Sequence, residues 1–233
     1  MMGGNMLRER DRLPESSDTE KGAGAAKPIR PPGAGEPPVE KPRVRTVGHS
    51  TRTLEELIAL LRAHGVARLV DVRTVPRSRH NPQFNRDTLP EALRAAGIGY
   101  LHLPGLGGLR HPRADSPNTA WRNDSFRGFA DYMQTPEFAT SLGELIALAR
   151  QEPVALMCAE ALPWRCHRSL IADALLARGI PVDHLMGPAA PGSVRPHALT
   201  AWARIDGDRV SYPGVTPALG VQPETGGRER EGG

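Results

Sequence analysis

Apolar residues in this chain come in short runs of two kinds, separated by polar loops. Val154-Ala155-Leu156-Met157 is a continuous run bounded by Pro153, too short for a globular helix, and predicts a buried strand ending at Cys158. From Leu170 the pattern changes: Leu170, Ile171, Ala174 and Leu175 recur at helical spacing and Gly179 supplies a stop. The same alternation runs upstream. Val44 and Val47 mark a strand ending at Gly48-His49-Ser50. A helix follows with Leu54, Leu57, Ile58 and Leu61 on one face, Thr53 and Glu56 spaced as a capping box, and His64-Gly65 at its end. Ala67 to Val72 predicts a second strand, Asp87 to Ala96 a helix, and Gly99 to Leu103 a third strand. Phe126 to Met133 predicts a short helix, and Thr135-Pro136-Glu137 opens a longer one through Leu148. Pro181 to Leu185 predicts the fifth strand; beyond it the pattern weakens to a short helix at Ala198 to Ile205 and a short strand at Arg209 to Tyr212. Strands alternating with helices predict parallel pairing. The fold class is α/β: a Rossmann-like three-layer domain with a mostly parallel sheet of about five strands.

That domain is expected over residues 43–215. Residues 1–42 are rich in Gly, Pro, Ser and mixed charge, with almost no large apolar residue after Leu13, so burial has little there to offset ordering entropy; they are expected to be a disordered tail, as are residues 216–233. The net charge of +4 sets 30 basic against 26 acidic residues, a surplus that permits an anionic partner without arguing for one. Two cysteines are too few for a secreted disulfide scaffold. The N-terminus lacks the apolar stretch of a signal peptide, and no run is long enough for a membrane span. A cytosolic protein with reduced thiols and no membrane partner is expected.

The predicted strands end at polar loops. In a parallel sheet those ends share one edge, where ligands bind. His49 follows the first strand, and Asp71 and Arg73 close the second. Arg77 and Arg79 follow in a loop that extends to Asn85. The fourth strand delivers Cys158, a loop through Glu160 and Arg165, and then Cys166-His167-Arg168 at a helix start, where free backbone N–H groups favour anions. A thiol beside arginines, a histidine and a helix N-terminus is expected to ionise readily and act as nucleophile. Cys158 and Cys166 are alternatives for that role, with His49 or His167 moving the proton and Asp71 orienting Arg73 or acting as base. Arg73, Arg77, Arg79, Arg165 and Arg168, with Glu160 nearby, are candidate ligand contacts. Cys158 and Arg165 stand one residue further apart than in cysteine phosphatase loops, and no glycine lies between them. The two cysteines as a dithiol switch is a further alternative. The spacing of Cys158, Cys166 and His167 matches no structural zinc pattern, so no metal is assigned, and the cofactor stays unspecified.

Several of these motifs occur together in a known order. Thr46-Val47-Gly48-His49-Ser50 with Thr53-Leu54-Glu55, then Asp71-Val72-Arg73 with Pro76-Arg77-Ser78, Asn81-Pro82-Gln83-Phe84-Asn85, Leu106-Gly107-Gly108, Cys158-Ala159-Glu160 and Cys166-His167-Arg168 resemble the DUF488 family over about Arg43 to Leu185. The resemblance implies a compact α/β protein with a Rossmann-like sheet, and it brings these positions into one site without assigning any of them a catalytic role. The expected function is an enzyme acting on, or binding, a phosphate-bearing ligand, either a nucleotide or nucleic acid, through a Cys/Arg/His site. The alternative is a non-catalytic nucleic-acid-binding or regulatory protein.

Overall fold

The computed structural model describes residues 42–188 and 190–214. Apart from Pro42, the two expected tails lie outside these residues. The central sheet holds β1 (Val44–Gly48), β2 (Arg68–Asp71), β3 (Gly99–His102), β4 (Val154–Cys158), β5 (Val182–Leu185) and β6 (Val194–Pro196). Their order is β3-β2-β4-β1-β5-β6; the first five are parallel and β6 is antiparallel to β5. Buried on both faces, a parallel strand needs apolar residues throughout, and all of β4 is buried. Val154, Leu156 and Cys158 enter one core while Ala155 and Met157 enter the other.

Helices complete a three-layer α/β domain. On one face lie α1 (Leu54–Ala63) and α2 (Leu89–Ala95), which bury Leu57, Leu60, Leu61, Leu89 and Leu93. On the other lie α3 (Asp124–Tyr132), α4 (Pro136–Ala149) and α5 (Arg168–Ala177), through Phe129, Phe138, Leu142, Leu145, Leu170 and Ile171. The capping box at Thr53 and Glu56 forms, and Thr135 accepts from the Phe138 N–H ahead of Pro136. Among the described residues no helix is long and apolar enough to cross a membrane.

The sheet departs from expectation in its neighbours. β1 and β2 are parallel but do not pair with each other, because β4 lies between them. The order thus exchanges β1 and β4 relative to the dinucleotide-binding arrangement. The helix expected at Ala198 to Ile205 does not form. Thr200 is instead tied to Asp173 through its N–H and hydroxyl, and Ala203 N–H turns back to the Thr200 carbonyl. The chain then enters a hairpin of β7 (Arg204–Asp206) and β8 (Arg209–Ser211) about Gly207 at φ 56°. That left-handed turn suits glycine.

Candidate functional site

β1, β2 and β4 end side by side and deliver His49, Arg73 and Cys158 to the same edge. Two close approaches shape the cysteine loop there. Gly48 lies against the Glu160 and Ala161 backbone, which leaves no room for a Cβ. A 3-10 turn over Pro163–Arg165 then brings Cys166 back beneath Cys158. The sulphurs of Cys158 and Cys166 are in contact at 2.7 Å, and Arg168 Nε donates to Cys158 Sγ at 3.0 Å.

His167 sits beside Cys166, with Nδ1 3.5 Å from the Cys166 sulphur and Nε2 3.3 Å from the Val72 carbonyl. A carbonyl only accepts, so Nε2 carries the proton and the Nδ1 lone pair faces Cys166. Gly108 makes room for the ring: a Cβ there would lie 2.7 Å from His167 Cγ. Burial alone would raise both thiols. For Cys166 the hydrogen bonds it makes with Cys158 and His167, with the charge of Arg168, outweigh it and hold its pKa well below the ordinary thiol range. Cys158 moves the other way, raised by burial and by its hydrogen bond to Cys166. The opposed shifts make Cys166 the thiol of the pair that gives up its proton more readily, with Cys158 as the donor to it.

Arg73 forms a second cluster. Its Nε and NH2 groups grip both Asp71 oxygens at 2.9 and 2.6 Å, NH2 also reaches the Phe84 carbonyl, and NH1 lies 3.3 Å from His49 Nε2. Tyr100 adds its hydroxyl to Asp71 at 2.9 Å. The His49 ring stacks on Phe84 at 4.3 Å between centroids, and Nδ1 donates to the Ser50 carbonyl. Burial, reinforced by Arg73, lowers its pKa to about 4. His49 is thus neutral at pH 7, with Nε2 an acceptor occupied by Arg73.

The two clusters border one cleft of about 420 Å³. Of the residues singled out in the sequence, His49, Arg73, Arg77, Cys158, Glu160, Arg165, Cys166 and His167 line it. Asp71 lies beneath Arg73, fully buried. Arg79 is exposed but outside the cleft. Arg168 is only 1% exposed and lies behind the thiols, bonded to Cys158, the Glu160 carbonyl and Thr46. The exposed cations of the cleft are Arg77 and Arg165. The cysteine loop offers no full backbone cradle: Pro163 has no N–H, and those of Leu162 and Arg165 already bond within the loop.

Sequence reasoning missed the apolar rim, Val75 at 61% and Leu109 at 73% exposed, and the placement of Gly108. The paired glycines were a signal of close backbone approach. It also missed a buried relay behind Arg168. Arg168 NH1 donates to Thr46 Oγ1, whose hydroxyl meets His184 Nδ1 at 2.7 Å. His184 Nε2 meets His197 Nδ1 at 3.0 Å, and His197 Nε2 meets Asp173 at 2.9 Å. Asp173 also accepts from Thr200 and from the Tyr212 hydroxyl. Trp121, Trp164 and Trp202, all the tryptophans of the chain, line a neighbouring cavity with Arg195, whose guanidinium stands 4.9 Å over the Trp164 ring. Among the described residues no three His, Cys, Asp or Glu side chains converge as a metal site.

Fold and site together define a three-layer α/β protein with a thiol pair at the floor of an arginine-bearing cleft. The family model "Domain of unknown function DUF488" matches residues 53–175, and the chain belongs to that family. The match is narrower than the motifs suggest and leaves out β1 and the Gly48-His49-Ser50 turn. No curated protein and no solved structure matches the chain.

Proposed function

We propose that the cleft is an enzyme active site for a phosphate-bearing ligand, a nucleotide or nucleic acid, with Cys166 as nucleophile. The observation that carries this reading is the position of Cys166 Sγ. It lies between a thiol donor, Cys158, and a bare imidazole nitrogen of His167, on the floor of a cleft whose exposed cations are Arg77 and Arg165. The thiol proton passes to His167 Nδ1, the two arginines hold the anion, and Arg73 has one N–H left to add after its four partners. Cys158 is the partner whose pKa is raised, by burial and by its hydrogen bond to Cys166, which argues against a phosphatase-type mechanism with the strand-end cysteine as nucleophile. The chemistry needs reduced thiols and therefore a reducing compartment such as the cytoplasm.

Alkylation followed against pH, in wild type and in the Cys158→Ser and Cys166→Ser variants, tests the assignment. Cys166 should react as an anion below neutral pH and be protected by inorganic phosphate, a mononucleotide or a short oligonucleotide. Two thiols titrating near ~8.5 would remove the nucleophile.

The tryptophan cavity favours a second reading, non-catalytic binding of single-stranded nucleic acid, because indole rings with a nearby guanidinium stack on bases of any sequence. Salt-sensitive oligonucleotide affinity that survives loss of both thiols, without turnover of any phosphorylated compound, would select it.

A further inference from the structure

Cys158 and Cys166 are the only cysteines of the chain, and elements that leave them little freedom hold them together. Cys158 is the last residue of β4, paired with Gly48 inside the sheet. Cys166 is fixed by its own N–H on the Pro163 carbonyl and by its carbonyl, which accepts from both the N–H and the hydroxyl of Ser169. The sulphurs stand 2.7 Å apart, against about 2.05 Å in a disulfide, so the two atoms that would bond already face each other.

The two thiols differ in their partners. Cys166 has a proton acceptor in His167, while Cys158 has a cation in Arg168. We propose that the pair is a reversible dithiol/disulfide couple, with Cys166 attacking and Cys158 resolving, and that its electron acceptor is a small anionic disulfide admitted by the cleft. This rests on the reading of Cys166 as the nucleophile.

In the first step the Cys166 proton goes to His167 Nδ1 and the thiolate attacks one sulphur of the external disulfide. A mixed disulfide forms, the external S–S bond breaks, and the departing thiolate takes the proton from His167. In the second step Cys158 is ionised beside Arg168 and attacks the Cys166 sulphur. The mixed S–S bond breaks, a second thiolate leaves with the Cys158 proton, and the Cys158–Cys166 bond remains. The protein gives up two electrons, and one external disulfide becomes two thiols. Arg77 and Arg165 at the cleft select for negative charge on the acceptor, and the exposed Val75 and Leu109 rim admits its apolar part.

Oxidised glutathione, an anionic disulfide, and cystamine, a cationic one, are the probes, with the full chain read by intact mass and peptide mapping. Wild type should end two hydrogens lighter, with no adduct and with the two cysteine peptides linked, and dithiothreitol should reverse this. Cys158→Ser should keep one glutathione on Cys166, and Cys166→Ser should stay unmodified. At low salt oxidised glutathione should react at least about tenfold faster than cystamine. If wild type stops at the single adduct seen in Cys158→Ser, the couple is wrong and Cys166 stands as nucleophile. If Cys166 takes no adduct and forms no link in wild type, both readings fall. Equal rates with the two probes would overturn the anionic acceptor. The wild-type peptide link decides the matter even if a serine variant folds poorly.

Discussion

At the scale of single residues the site turns on which atom carries which proton. His167 presents a bare Nδ1 to Cys166 only because Val72 takes its Nε2–H. His167→Ala removes that acceptor and the cation it becomes, so the Cys166 thiol should titrate higher. The pH profile of its alkylation should be displaced upward, and at a pH below the titration the rate should fall about tenfold for each pKa unit gained. An unchanged profile would mean that Cys158 and Arg168 alone sustain the thiolate. The sequence made both cysteines and His167 visible as a cluster but left open which thiol ionises, since that depends on contacts across the loop. Arg168 was legible only as a charge; its burial against Cys158 follows from the direction in which α5 leaves the loop.

At the scale of elements, loops that approach one another without side chains assemble the site. Gly108 passes so close to the His167 ring that even a methyl group displaces it. Gly108→Ala should therefore turn the imidazole away from Cys166 and reduce alkylation in the direction expected for His167→Ala. The overpacking should cost about 1–3 kcal/mol of stability, read by denaturant unfolding. If stability falls while the thiol profile stays in place, the ring has found another way to hold its bond. Parallel strands and capped helices were legible because each carries its own period and stop signals. β6 was not, since Val194-Arg195-Pro196 is a short, exposed edge with no alternation to read. Ala198 to Ile205 carries a helix-compatible composition that the side-chain and backbone bonds of Thr200 to Asp173 override.

At the scale of the whole molecule, two buried histidines tie folding to pH. Burial lowers His49 to about 4, and burial with the neighbouring His197 lowers His184 to about 3. Below the ordinary value near ~6.5 the unfolded chain binds protons at these positions that the folded chain refuses, so stability should fall as pH drops from about 6.5 toward 4. Each histidine contributes a slope of up to about 1.4 kcal/mol per pH unit. Urea unfolding at a series of pH values should show this, and His184→Gln should lower the slope by about one histidine's share; an equal slope in that variant would count against His184. The sequence showed the histidines but not their burial, because the relay from Thr46 to Asp173 joins residues far apart in the chain. The tryptophan cavity was equally hidden, for Trp121, Trp164 and Trp202 come from three separate segments. Trp164 belongs to the loop that joins the two sulphurs, and Trp121 stacks on Phe126, a wall of the cleft. The chain thus carries an optical reporter of its own. With no indole elsewhere, its tryptophan emission comes from this ground alone, and any event that shifts the cysteine loop should be visible as a change in its colour or intensity without a label.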